Sequence, residues 1–420
     1  MRAPARALLA AAAAAAALRA VPGAPAPLVA DALAQAAPVA ASGVYRNLFR
    51  EIGKTDSEIA VKVDAAIHDF FFGDSTIRNY DTLGADEAYI LDSGNGDVRS
   101  EGMSYGMMLA VQADLRPQFD RLWNFARRRM RNAAGDLTGY FAWEANPDGT
   151  IRDHGPAPDG EQYFAMALFF AWQRWGDTTY RAAADDILDH MLHQDRWTEP
   201  ASGVGPMFDP ATRLVVFVPR GPGAGFTDPS YHLPAFYELF ARWARRDNDA
   251  WREIARASRA FLHAAARPET GLFPDYARFD GAPTDPWSRA GASHADFRAD
   301  AWRVIQNIAV DRYWWGGDPA AVDEANRLQA FFARQGLATY GNMFTLDGRQ
   351  LERDHSPGLV AMNAVASLVA TGPRALDFVR ELWYVRPTRG RWRYYDGCLY
   401  LFGLLHASGR YRMIGLAPGQ

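Results

Sequence analysis

A single cysteine, Cys398, stands in 420 residues. That excludes an intramolecular disulfide and any zinc site assembled from several cysteines. An excess of basic charge is missing too. The 45 Lys and Arg against 49 Asp and Glu leave a formal net charge of −4, so no nucleic-acid surface is indicated. The apolar run Ala7–Leu18 is too short to span a membrane. With Arg2 and Arg6 ahead of it and Ala32-Leu33-Ala34 behind, it reads as a secretory signal with a small-x-small cleavage site. Alanine-rich low-complexity sequence or a misplaced start is the alternative, and Arg19 and the long gap before Ala34 fit it. Residues 1–42 are thus expected to form a signal peptide and flexible leader, and 43–420 the folded domain. The mature protein is expected in the periplasm or outside the cell, with no membrane association after signal removal. If the leader is not a signal peptide, the protein would be cytoplasmic.

What the chain has in quantity is aromatic side chains: 13 Trp, 17 Tyr and 24 Phe. Most must fill a core, but flat, half-wet rings also suit sugars. From about residue 45 helical periods dominate. They predict helices over Asp56–Phe71, Ser100–Ala113, Pro117–Ala133, Asp159–Trp175, Thr178–His193 and Ser230–Arg245. Six more follow: Asp249–Ala265, Arg298–Trp314, Ala320–Gln335, Pro357–Ala370, Pro373–Trp383 and Asp396–His406. Short joins such as "WGDT", "RRDND" and "TGP" alternate with long ones at 139–158, 197–229 and 270–297. The first two long joins carry the turn chemistry of small β-hairpins. A recurring long loop, helix, short turn and helix describes an array. Closed into a ring, it is an all-α (α/α)6 barrel whose inner helices share one rim with the long loops. An open superhelix is the rival. Gly102 and Gly106 in "RSEGMSYGMMLAVQ" fit a crowded inner helix that a neighbouring backbone approaches closely.

Three acids open predicted inner helices: Glu101, Asp159 and Asp300. Each alone is more simply a helix N-terminal charge, which such positions favour by about 0.3–1 kcal/mol. Jointly, with Tyr105, Tyr163, Phe164 and Trp302 beside them, they suggest carboxyls with pKa raised by desolvation. A carboxyl pair flanking an acetal oxygen is the apparatus of glycoside hydrolysis.

The segments "RSEGMSYGMMLAVQ", "PAPDGEQYFAMALFFAWQRWG" and "FRADAWRVIQNIAVDRYWW" resemble glycoside hydrolase family 8, and within it the reducing-end xylose-releasing exo-oligoxylanases. The resemblance runs from about Gly43 to the C-terminus. Its Asp159 segment, "APDGE", departs from the Ala-Ser-Asp-Gly-Asp-like stretch of the family's cellulases and chitosanases. The resemblance implies an inverting (α/α)6 enzyme acting on xylo-oligosaccharides, with no metal or cofactor. By motif it implies Glu101 as general acid and Asp300 as general base. Asp159 would bind and distort the sugar at the cleavage point. It also implies a loop that blocks the path beyond a short reducing end. The segment Glu352–Pro357 is the candidate, with His355 placed to bond the terminal anomeric hydroxyl. Arg99, Tyr105, Trp143, Tyr231, His232 and Arg303 are further candidate sugar contacts. Packing or ion pairing is the competing role for each, and Arg303 could neutralise Asp300 or its neighbours. Asp296 is the reserve base. A monomer is expected.

Other motifs carry less. "DDILD" at Asp185–Asp189 matches an aspartate-rich magnesium motif, but Ile187, Leu188, Met191 and Leu192 form its apolar stripe and leave the acids outward. "GPGAGF" at Gly221 lacks the Lys-Ser/Thr of a phosphate loop. An endo-acting xylanase, cellulase or chitosanase and a non-catalytic oligosaccharide-binding protein are the functional alternatives.

Overall fold

The computed structural model describes residues 37–199, 202–288 and 293–419. The expected signal sequence falls almost wholly on residues 1–36, outside the described residues. Among these, two one-turn helices, Val39–Ser42 and Leu48–Glu51, precede twelve longer ones. They are α1 (Asp56–Phe72), α2 (Ser100–Gln112), α3 (Arg116–Phe125), α4 (Pro158–Trp175), α5 (Thr178–His193) and α6 (Pro234–Trp243). Next come α7 (Asn248–Ala265), α8 (Val304–Trp315), α9 (Ala320–Gln335), α10 (Pro357–Val365), α11 (Ala375–Tyr384) and α12 (Arg393–Ala407).

The even-numbered helices form the inner ring. Each packs on the next, and α12 returns to α2, so the array closes into a barrel rather than running on as a superhelix. The odd-numbered helices pack outside, each following its inner partner through a short turn, while α1 covers α12. Burial follows this division. Outer α1 buries the stripe Ile59, Val63, Ile67, Phe70 and Phe71, spaced for one helix face. Its start is fixed by a Thr55–Glu58 capping box. Inner α2 is buried all round except at Glu101. Left-handed Gly176 and Gly316 end α4 and α8 and turn the chain toward the outer layer.

The two α2 glycines meet side chains, not the backbone expected. A Cβ on Gly102 would lie 2.6 Å from the Tyr394 ring, and one on Gly106 2.5 Å from Ile90. Gly102 therefore makes the room that lets Tyr394 reach Glu101.

Two inner helices start differently from the sequence pattern. The predicted Ser230–Arg245 helix is a 3₁₀ turn, Pro229–Tyr231, followed by α6. Pro234 disfavours helical geometry at Leu233, which sits at φ −121°. The predicted Arg298–Trp314 helix begins as a 3₁₀ turn, Asp300–Arg303.

A five-stranded antiparallel sheet leads into α2: β1 (Tyr80–Leu83), β2 (Glu87–Asp92), β3 (Asp97–Arg99), β4 (Glu144–Ala145) and β5 (Ile151–Asp153), in that order. The β4–β5 hairpin is the one expected at 139–158. The one expected at 197–229 shows only the isolated bridges Val204–Arg220 and Phe208–Val215 among the described residues. A second hairpin pairs β6 (Met343–Phe344) with β7 (Gln350–Glu352), just before α10.

Candidate active site

Strand β3 runs directly into α2, and the Ser100 N–H donates to the Trp143 carbonyl at 3.0 Å. This fixes Glu101 at the inner-ring rim. Pro158, pre-set for a first helical position, starts α4 and puts Asp159 in its first turn. The 3₁₀ turn before α8 supplies Asp300 and Arg303.

Arg303 gathers the three acids. Its Nη1 donates to Glu101 Oε2 and Asp159 Oδ2, both at 2.9 Å, and to the Tyr105 hydroxyl at 2.5 Å. Its Nη2 donates to Asp300 Oδ1 at 2.9 Å. The guanidinium lies 6.0 Å from the Tyr231 ring and 5.8 Å from the Tyr395 ring. The Tyr394 hydroxyl is 2.9 Å from Glu101 Oε1.

One cation cannot balance three carboxylates in a buried site, so the site retains protons. Burial, opposed by Arg303 and reinforced by Asp159 and Asp300, pushes Glu101 up to about 7. Burial likewise raises Asp159. Arg303 occupies Glu101 Oε2. Oε1 faces only the neutral Tyr394 hydroxyl and is the better seat for the proton. Openness to water separates the acids: the Asp159 side chain is 5% exposed and that of Asp300 34%. The site thus holds a protonated carboxyl and a wetter carboxyl on opposite arms of one arginine. That pair can deliver a proton to one oxygen and take one from a water.

The other sequence candidates divide. Tyr231 is at the site, its ring against Arg303 and stacked on Phe217 at 5.8 Å. Trp143 is half-buried beneath Arg99, whose guanidinium lies 5.6 Å over the ring and pairs with Asp97 and Asp92. Three candidates are corrected. Arg303, 4% exposed in its side chain, is bonded to the three acids. Tyr105 is buried beneath it and holds it. His232 has no exposed surface: its ring nitrogens meet Ser258 and Thr227, both at 2.9 Å, and it stacks on Phe261. Burial lowers it to about 3, so it is a neutral core residue. The His355 side chain, by contrast, is 20% exposed. Its Nδ1 meets the Tyr340 carbonyl at 2.9 Å and its Nε2 faces Glu381 on outer helix α11 at 3.6 Å.

His232→Ala is accordingly expected to lower the unfolding free energy by about 3 kcal/mol, by stranding two buried hydroxyls and leaving a cavity. Chemical denaturation checks this. A loss below about 0.5 kcal/mol would return His232 to the candidate contacts.

Sequence reasoning missed Tyr394 and Tyr395. Both lie in the first turn of inner α12, the position that singled out the acids, so the same rule applied to "RWRYYDGC" finds them. It also missed an aromatic wall beside Tyr231. Phe217 and Phe226 stack at 5.1 Å, with Tyr276 and half-exposed Trp287 against both. These come from two long loops without periodicity.

Comparison with known proteins agrees with this geometry. The chain is 47% identical to the reducing-end xylose-releasing exo-oligoxylanase Rex8A of Paenibacillus barcinonensis, over 89% of this chain and 97% of that protein. It is 43% identical to the reducing end xylose-releasing exo-oligoxylanase of Halalkalibacterium halodurans, over 88% and 94%. The structure of Rex8A complexed with xylose superposes with a TM-score of 0.85 at 45% identity, covering 90% of this chain and all of that one. Residues 86–409 match the family described as glycosyl hydrolases family 8, and with most of its length and its closed helical ring accounted for by that match, the chain belongs to this family.

Proposed function

We propose that the protein is an inverting exo-oligoxylanase that releases xylose from the reducing end of xylo-oligosaccharides. Glu101 is its general acid and Asp300 its general base, and Asp159 binds the sugar at the cleavage point. The observation that carries this is the convergence of three carboxyls from three inner helices on the buried Arg303. Glu101 Oε1 gives its proton to the glycosidic oxygen as the anomeric C–O bond breaks. A water attacks the anomeric carbon from the opposite face and passes its proton to Asp300. The new bond has inverted configuration, and the departing sugar carries the proton from Glu101. With Glu101 raised to about 7, the acid form persists to neutral pH. Activity then falls as pH rises through that value.

Both relatives named above are reducing-end enzymes, which supports exo action. The end-block is the segment 352–357, with His355 as its candidate contact to the terminal anomeric hydroxyl. Ser356 is tied to Asn342 at 2.8 Å, and the Asn342 carbonyl receives Trp302 Nε1 at 2.9 Å. The segment therefore abuts the turn that bears Asp300. One chain supplies every group of the site, in keeping with a monomer. No helix among the described residues is long and apolar enough to cross a membrane. Export to the periplasm or medium is part of the proposal, on the strength of Arg2, Arg6 and the apolar run Ala7–Leu18.

The test is a product time course on xylotetraose and on the same sugar reduced to its alditol. Xylose plus xylotriose from the free sugar, with little cleavage of the alditol, is the expected result. Internal cleavage of both would make the enzyme endo-acting. No cleavage of either would leave an oligosaccharide-binding protein.

A further inference from the structure

Behind the Asp300 turn lies a second pair of titratable groups that the reaction above does not use. Asp275 is buried. Its Oδ1 accepts the Ala301 N–H at 3.0 Å, one residue beyond Asp300. Its Oδ2 lies 3.1 Å from His294 Nδ1. The His294 ring is half-exposed and stacks on Tyr276 at 4.2 Å. The chain of contacts therefore runs from solvent through His294 and Asp275 to the backbone of the 3₁₀ turn Asp300–Arg303.

We infer that His294 and Asp275 are a positioning pair for the base: the imidazolium holds the buried Asp275 carboxylate in its charged form, and that carboxylate anchors the turn carrying Asp300. The inference rests on Asp300 being the base. An ionised acceptor binds a backbone N–H about twice as strongly as a neutral one, so the anchor depends on charge. Burial opposes that charge and raises Asp275 to about 6, while His294 holds it down. His294 is in turn raised by Asp275.

Among the described residues, the surrounding charges leave no substitute for His294. Arg303, across Asp300, is committed to the three acids. Asp228, buried with one oxygen unpartnered, faces Asp275 and Asp300 and is raised by their charge as well as by burial. Tyr231, Tyr276 and Tyr395 complete the enclosure with neutral hydroxyls. On the solvent side His294 faces Arg298, whose charge opposes that of the imidazolium.

The sign of the effect follows. Without the imidazolium, Asp275 keeps its proton to higher pH and the anchor is lost there. If Asp275 stays ionised instead, its uncompensated charge repels that of Asp300. Either way the acidic limb of activity moves up in pH.

The experiment measures kcat and kcat/KM against pH on xylotriose for wild type, His294→Gln, His294→Arg and Asp300→Asn. In His294→Gln, a half-exposed site that folding tolerates, kcat should fall about 10- to 100-fold with KM nearly unchanged. Its acidic limb should rise by about one unit. His294→Arg, which keeps the charge, should return the limb toward wild type. A wild-type limb and rate in His294→Gln would overturn the pairing, as would Gln and Arg variants that behave alike. Full activity in Asp300→Asn would instead overturn the base assignment, whatever His294 does.

Discussion

Glu101→Gln is expected to lower kcat on xylotriose by about 10³- to 10⁴-fold while KM changes little. The amide is nearly isosteric. Its oxygen can still receive Arg303 Nη1 and its nitrogen can still face Tyr394, so the ground-state site survives. What is lost is the transferable proton on Oε1. A substrate whose leaving group departs without protonation, such as xylobiosyl fluoride, should be largely spared, and the wild-type alkaline limb near pH 7 should vanish. Stability gives an independent check. The folded pKa of Glu101, about 7, lies above the ordinary glutamate value of about 4.3. Glu101 therefore contributes stability that is fully present below the unfolded value and is lost as pH rises through about 7. Glutamine has no proton to lose. The Tm gain of the variant over wild type should thus be larger at pH 8 than at pH 5. Unchanged turnover would remove Glu101 as the acid.

The ring was legible because its signals are local and repeated. Thr178–His193 and Ala320–Gln335 coincide with the sequence periods, since amphipathic stripes and short glycine-bearing turns define outer helices without tertiary help. Inner helices were harder to bound. They are buried on both sides, so periodicity fades, and their starts depend on prolines such as Pro234. The strands of Tyr80–Arg99 were missed although the alternating "YDTL" and "EAYILD" and the turn "SGNG" were present. They lay between stronger helical patterns.

At the site, residue types at helix starts placed all three acids on one rim. Sequence could not show which groups touch which. Arg303 and Tyr105 carry the right chemistry for sugar contact, yet their depth below the acids turns them into supports. His232 fails for a related reason. An imidazole at a helix start is equally suited to a sugar hydroxyl, a carbonyl or a buried serine, and only the packing chooses. The aromatic wall around Phe217 is assembled from segments about 60 residues apart, a separation that periodicity does not bridge.

Asp300→Asn tests the other half of the chemistry and discriminates between two carboxylates. Turnover on xylo-oligosaccharides is expected to fall by about 10³-fold, because asparagine cannot take the proton of the attacking water. Asp296, the alternative base in the sequence, faces Arg298, Arg349 and Asp347 rather than the Arg303 cluster. Its carbonyl serves as acceptor for the Asp275 N–H. It therefore cannot stand in for Asp300, and Asp296→Asn should leave kcat within a few-fold of wild type. The Asp300 variant keeps Arg303 bound to Glu101 and Asp159, so its fold and its sugar binding should persist. Azide supplies the decisive arm, being an anionic nucleophile that needs no base. Added to Asp300→Asn, it should restore part of the turnover and leave, from xylotriose, free xylose and an α-xylobiosyl azide, inverted from the β-linked substrate. Azide without effect on a folded, sugar-binding Asp300→Asn enzyme would move Asp300 from base to binding residue. Activity lost in Asp296→Asn and kept in Asp300→Asn would move the base to Asp296.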